Sequence, residues 1–271
     1  MNSVELKMSE RLITIADMLS RAGDYLPAYE GKQLRTADVG CDHGYISIYL
    51  AEKEISSSCI AMDVRKGPLS GAAANIREHG FEERIDTRLS DGLKELKKGE
   101  ADSVVIAGMG GDLMKRIITD ADIAELGIKI GVLQPQSELC EFRAFLRESG
   151  YHIVQERIVY EDGKYYFPML VIFDQDAMPD VQADALSEGT ALLQKKGDVT
   201  KEDAVAVCNT YGEHNILRRD PLLEKYLLHG KEVSESIKKS LDRDAHAERL
   251  SKIDKDLYYI DLILFTAYEE G

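Results

Sequence analysis

Four apolar runs in this chain close on an acid or a glycine turn, the pattern of strand ends that line a ligand site. In the first, Ala37-Asp38-Val39-Gly40-Cys41-Asp42-His43-Gly44, a strand enters a turn and then a helix. Glycines there let backbone N–H groups approach a ligand, and the carboxylates favour a cationic or hydroxyl-bearing ligand over pyrophosphate. The run lacks the Gly-x-Gly-x-x-Gly spacing of a dinucleotide loop, so it reads either as a plain turn or as the wall of a nucleotide-sized pocket. The second run, Cys59 to Asp63, ends on an acid roughly 20 residues after the glycine turn, the place of a ribose-binding carboxylate. Alternatively, Asp63 caps a helix whose first turn is Lys66-Gly67-Pro68. Asp91-Gly92 follows Ile85 to Leu89, where a carboxylate can accept an adenine amino group while glycine leaves room for the ring. The last run, Asp102 to Ile106, passes into Ala107-Gly108-Met109-Gly110-Gly111. Those glycines form a backbone surface for a flat group, or only a turn before a helix at Leu113 to Ile118.

Together these residues resemble a known family. Asp38 to Leu50, Lys66-Gly67-Pro68 with Asn75, Asp91-Gly92-Leu93, Ile106 to Gly111 and Gln134-Pro135 are similar to the bacterial tRNA (adenine-22-N1)-methyltransferase family. The likeness runs from Ser9-Glu10-Arg11-Leu12 to Tyr211-Gly212 and the helical tail. The sequence departs from the family pattern at Cys41 for serine, Gly44 for alanine, Ile46-Ser47 for Leu-Pro, and Asp63 for glutamate. The resemblance implies a class I enzyme that uses S-adenosylmethionine to methylate N1 of adenine 22 in tRNA. It implies cofactor contacts at Asp38, Gly40, Asp42, Asp63, Asp91, Gly92, Ala107 and Gly108, and substrate contacts at Met109, Gly110 and Gly111. A sulfonium cation suits a pocket holding Asp38, Asp42 and Asp63.

Adenine N1 has an in-plane lone pair and no proton at neutral pH, so no general base is obligatory and alignment supplies most of the rate. A carboxylate near the base edge stabilises the cation as it forms. Asp42 is the first candidate. His43 serves as its hydrogen-bond partner or a stacking group, or merely fixes the loop, and Arg11 joins from the first helix. An Asn/Asp-Pro-Pro-aromatic motif, which grips an exocyclic amine, is absent at Gly108 to Gly111, which weighs against methylation at N6. The rival readings are a small-molecule methyltransferase and a non-catalytic S-adenosylmethionine-binding adaptor. A dehydrogenase is disfavoured by the missing phosphate fingerprint.

The 271 residues suffice for an α/β domain with a smaller addition. No stretch reaches the ~20 apolar residues of a membrane span, and the N-terminus lacks an apolar signal region, so a cytoplasmic protein is expected. A monomer or weak dimer is the expected state, on which neither feature bears. Cys41, Cys59, Cys140 and Cys208 are too scattered for a metal site, and no metal is expected. Only Cys41 falls inside the expected pocket. A net charge of −15, from 34 basic and 49 acidic residues, runs against an RNA partner. The excess of acids lies outside Lys195 to Lys255, a segment of mixed charge that can present a basic face through Arg218-Arg219, Lys238-Lys239, Arg243, Arg249 and Lys252.

The elements that must position these residues follow from periodicity. Ser9 caps a helix carrying Leu12, Ile15, Ala16 and Leu19, and βα units follow through Gly131-Val132-Leu133. A helix with Phe142, Phe145 and Leu146 ends at Gly150. Tyr151 to Val159 and Tyr165 to Phe173 read as a hairpin through Glu161 to Lys164, finishing a doubly wound Rossmann-like methyltransferase sheet. The acidic stretch Asp174 to Asp184 reads as a linker, giving an S-adenosylmethionine-binding domain at 1–176 and a helical domain at 185–271. In the tail, Leu223, Leu227, Gly230, Val233, Ile237 and Leu241 recur at threes and fours, as do Leu250, Ile253, Leu257, Ile260 and Leu264. With Asp242 to His246 as a polar break, they predict an antiparallel coiled coil, either structural or RNA-gripping, with Lys238 and Lys239 as substrate contacts.

Overall fold

The computed structural model describes residues 4–173, 181–195, 199–242 and 246–268. By its internal contacts the chain divides into two units, Met1–Gln182 and Ala183–Gly271. In the first unit the strands are β1 (Leu34–Val39), β2 (Ser56–Asp63), β3 (Ile85–Leu89), β4 (Ser103–Met109), β5 (Ile130–Pro135), β6 (His152–Glu156), β7 (Val159–Glu161), β8 (Lys164–Tyr166) and β9 (Met169–Ile172). The helices are α1 (Glu10–Ser20), the short α2 (Ala22–Tyr25), α3 (Tyr45–Glu52), α4 (Lys66–His79), α5 (Gly111–Asp120), the short α6 (Ile123–Leu126) and α7 (Leu139–Glu148).

Seven strands form one sheet in the order β3-β2-β1-β4-β5-β9-β6, parallel from β3 to β5 and antiparallel at β9 and β6. The central strands are buried on both faces, which is why they read as unbroken apolar runs. One core packs α1, α3 and α4 against Val105, Val132 and Leu170; the other packs α5 and α7 against Val104, Ile106 and Leu133. The chain winds outward from β1 to β3 and returns to β4 beside β1. Strand order therefore reverses between β1 and β4, where a crevice opens at the carboxyl ends of an α/β sheet.

The expected hairpin is divided. β6 and β9 pair from His152↔Ile172 to Glu156↔Met169 in the main sheet, with β9 inserted beside β5 and β6 on the edge. Beyond Arg157, whose N–H donates to the Pro168 carbonyl, the tip leaves the sheet as a separate ribbon of β7 and β8. Proline at 168 has no N–H for a ladder, which suits a break at that point. The ribbon packs on α1, and the backbone N–H of Glu10 donates to Glu161 Oε1 at 2.7 Å.

The second unit is helical, with α8 (Val181–Gln194), α9 (Lys201–Tyr211), the short α10 (Glu213–Leu217), α11 (Pro221–Ser240), α12 (Ala247–Ile263) and a π-helical turn at Leu264–Tyr268. Of the expected linker Asp174 to Asp184, residues 174–180 lie outside the described residues, and the chain is helical from Val181. Thr200 caps α9 by accepting the Asp203 N–H, and Asp220 caps α11, whose first residue is Pro221. Lys231 pairs with Asp261 and Lys238 with Asp254, so the contact advances along α11 as it retreats along α12. The two helices are thus antiparallel. Their apolar stripe is closed only in part: Leu223, Leu227, Ile253 and Ile260 are buried, but Val233 is exposed.

Candidate active site

The crevice at the strand reversal holds about 620 Å³, within the ~300–1,000 Å³ usual for small-molecule and cofactor sites. One wall is the loop after β1. Gly40, at φ +76°, donates its N–H to the Met62 carbonyl at 2.8 Å, and Cys41 does the same at 3.0 Å. A Cβ on Gly40 would sit 2.3 Å from Met109 Cε, the far end of a flexible side chain that can shift, so it is the left-handed backbone that favours glycine there. Asp42 also adopts a left-handed conformation, at φ +49°, which an aspartate tolerates better than most residues. Its side chain is 66% exposed, with His43 Nε2 3.8 Å from the carboxylate. The His43 ring stacks on Tyr45, and Asn75 on α4 donates to the His43 carbonyl at 2.9 Å, anchoring the loop.

The floor is acidic. Asp38, buried at the end of β1, accepts a hydrogen bond from the Ser47 hydroxyl at 2.6 Å. Burial pushes its carboxyl up to about 7; the Ser47 bond opposes the shift and the Asp63 carboxylate adds to it. Asp63, buried at the end of β2, accepts the Arg65 backbone N–H at Oδ1, 2.8 Å away. α4 begins after Arg65 without a side-chain cap, so Asp63 binds the connecting backbone and also lines the crevice. Asp91 lies at the rim, held by Lys94 at 2.6 Å with Arg116 at 3.6 Å, and the Lys94 bond lowers its pKa. Burial and three neighbouring carboxylates push the Cys41 thiol up, which makes it a filler of the wall and a poor nucleophile.

The opposite wall joins residues far apart in sequence. Arg11 on α1 donates to Gln134 Oε1 at 2.9 Å, and its guanidinium lies 5.2 Å from the centre of the Tyr166 ring on the ribbon. Gln134 is fully buried, and its Nε2 donates to the Pro135 carbonyl. Gln136, just past β5, donates its backbone N–H to the Met109 carbonyl at 2.8 Å and sends its side chain into the crevice lining.

Known proteins share this fold. Residues 8–169 match the family model described as a methyltransferase domain. The tRNA (adenine(22)-N(1))-methyltransferase of Bacillus subtilis is 35% identical over 177 residues, 65% of this chain and 70% of that protein. The chain belongs to the tRNA (adenine-22-N1)-methyltransferase family. A Streptococcus pneumoniae family member, solved in complex with S-adenosyl-L-methionine and described as a candidate tRNA (m1A22) methyltransferase, is 26% identical at a TM-score of 0.72; the match covers 95% of this chain and 99% of that one. The B. subtilis M1A22 tRNA methyltransferase structure, at 24% identity, has the same fold, with a TM-score of 0.75 over 96% of this chain and 99% of that one.

The structure brings Arg11, Asp38, Gly40, Asp42, His43, Asp63, Asp91, Gly92, Ala107, Gly108 and Met109 to one crevice. It does not bring Gly110 and Gly111 there. The Gly111 N–H donates to Glu138 Oε2, and a Cβ on that glycine would lie 2.7 Å from the Ser137 carbonyl oxygen; one on Gly110 would lie 3.0 Å from Ser137 Oγ. These two glycines admit the turn before α7, and only Gly108 offers an open backbone face. Lys238 and Lys239 lie on α11 in the second unit, with Lys238 paired to Asp254. Gln136, Arg65 and Arg116 line the crevice without having been singled out in the sequence. A polar residue directly after the Gln134-Pro135 strand end was the available signal for Gln136. No local pattern marks the two arginines.

Proposed function

We propose that this protein methylates N1 of adenine 22 in tRNA, acting in the cytoplasm with S-adenosylmethionine as methyl donor. The observation that carries this is the coincidence of the family match with an acidic crevice at the strand reversal, open on the side of Asp42 and His43. The residues present fit the cofactor. Burial pushes the Asp38 carboxyl up to about 7, and an ammonium group facing it would favour its ionised form. Asp63 is the carboxylate for the ribose hydroxyls, Asp91-Gly92 borders the place for the adenine ring, Gly40 gives the loop the turn that borders the pocket, and Gly108 lets the backbone approach closely.

The bound cofactor supplies an electrophilic methyl group on a sulfonium. The chain itself aligns and stabilises. Met109 gives an adaptable apolar contact for the incoming base, and the stacked pair of His43 and Tyr45 offers a ring surface at the mouth. Asp42 faces the cation that grows on the base as N1 gives up its lone pair. Arg11, fixed between Gln134 and Tyr166, shapes the wall opposite. The exposure of Asp42 and His43 favours a macromolecular substrate over a small molecule enclosed by the site.

Methyl transfer from labelled S-adenosylmethionine to an unmodified tRNA transcript tests the reading directly. Label is expected at N1 of adenine 22 and none on a transcript with guanine there. Equal labelling of both transcripts, or cofactor binding without any transfer, would overturn it.

A further inference from the structure

We infer that Gln136 reads the adenine to be methylated, through the N6 and N7 edge of the base. The inference rests on the proposed tRNA reaction and adds the residue that selects adenine. N1 lies on the Watson–Crick edge, which must be turned toward the methyl donor, so recognition falls to the edge carrying the N6 amino group and the N7 lone pair. That edge presents one donor and one acceptor. A carboxamide matches it with one acceptor and one donor, the pairing by which glutamine or asparagine reads adenine in nucleic acids. Guanine presents two acceptors there, O6 and N7, and the amide carbonyl would face one of them.

Gln136 is the carboxamide among the crevice-lining residues. Gln134, two positions earlier, is buried with its amide committed to Arg11 and Pro135. The Gln136 side chain is exposed, and among the described residues its amide has no hydrogen-bond partner. It lies over the open face of Gly108: a Cβ on that glycine would be 3.8 Å from Gln136 Nε2 and 4.0 Å from Arg11 Nη1. Gly108, at φ +79°, leaves a bare floor beneath the amide. The Gln136 N–H bond to the Met109 carbonyl fixes the backbone that carries this side chain. Arg11, on the other side of the floor, would suit guanine, but its guanidinium is committed to Gln134 and stacked on Tyr166.

The test compares the full-length protein with Gln136→Ala and Gln136→Glu on tRNA transcripts carrying adenine or 7-deazaadenine at position 22. Loss of the N7 acceptor should lower wild-type kcat/KM about 3- to 10-fold, the worth of one hydrogen bond. On adenine, Gln136→Ala should lose about 10- to 100-fold, with calorimetric cofactor affinity unchanged, and should no longer distinguish the two bases. Gln136→Glu sets an acceptor against N7 and should invert the order, preferring 7-deazaadenine. Transfer by the wild type with the same 7-deaza penalty in Gln136→Ala would overturn this inference alone. Failure of the wild type on adenine itself would overturn the proposed reaction and this inference with it.

Discussion

Burial of Asp38 gives the site a dependence on pH. Its carboxyl titrates near 7 in the folded chain against an ordinary value of 3.8, so the folded state keeps a proton that the unfolded chain releases. Its contribution therefore makes the unliganded protein lose stability as pH rises from about 4 to 7, with no further change above. An ammonium group facing Asp38 reverses the preference, because it favours the ionised carboxylate. Cofactor affinity should accordingly rise as pH passes through 7, with proton release on binding, and calorimetry in buffers of different ionisation enthalpy reads both. Asp38→Asn should flatten the dependence. A second prediction separates binding from chemistry. Asp63→Ala should weaken the cofactor roughly 10-fold or more, the cost of a charge-assisted hydrogen bond, whereas Asp42→Ala should lower kcat and leave cofactor affinity nearly unchanged. Equal losses of both quantities in Asp42→Ala would make that residue a shaper of the loop only.

At the scale of elements, the sheet is fixed by close packing at a few strand positions. Gly131 in β5 is one: a Cβ there would meet Val104 Cγ1 at 2.6 Å and the Val104 carbonyl oxygen at 2.7 Å, and backbone cannot move aside as a side-chain end can. Gly131→Ala should cost about 3 kcal/mol in denaturant unfolding, at the upper end for overpacking, and it shifts the strand that carries Gln134. The ribbon of β7 and β8 is the element whose role the periodicity hid. Alternation ran through Tyr151 to Val159 and Tyr165 to Phe173 without marking the break at Arg157 and Pro168. The break places Tyr166 against Arg11. Tyr166→Ala should release the guanidinium from one of its two restraints and lower methyl transfer, with the stability of the sheet within about 1 kcal/mol of wild type, as for a half-exposed cation–π contact.

For the whole molecule, the charge sets the question of how tRNA is held. The net charge of −15 gives little general attraction for phosphate, so contacts must be local. On the helical unit, Lys238 and Lys252 already face Asp254 and Glu248, leaving a less basic surface than the count of lysines suggests. Lys239 and Arg249 are exposed, and Arg243 lies outside the described residues. A chain ending after Phe173 keeps all seven strands of the main sheet. It should bind cofactor as the full chain does, with transfer to tRNA strongly reduced. Changing Lys238 and Lys239 together to glutamate should raise KM for tRNA and flatten its salt dependence. Full-rate methylation by the truncated protein would show the helical unit to be structural.

Spacing along the chain determined the strand ends, the acids at Asp38, Asp63 and Asp91, and the glycine turns at Gly40 and Gly108, because a strand followed by a turn is encoded within about ten residues. The antiparallel direction of α11 and α12 was equally legible, since one apolar stripe interrupted by a polar break folds back on itself. Burial along that stripe was not, and Val233 stands exposed where the repeat placed it inside. Tertiary structure alone decided the opposite wall. Arg11 meets a glutamine 123 positions away, and that contact depends on where β5, α1 and the ribbon end in space. It also divided the glycines that the sequence grouped together: Gly108 faces the crevice, whereas Gly110 and Gly111 face Ser137 and Glu138. The physical reason is the same in each case. Local periodicity fixes which face of an element is apolar, but convergence of side chains from distant elements is set by strand order and by what the packed core leaves open.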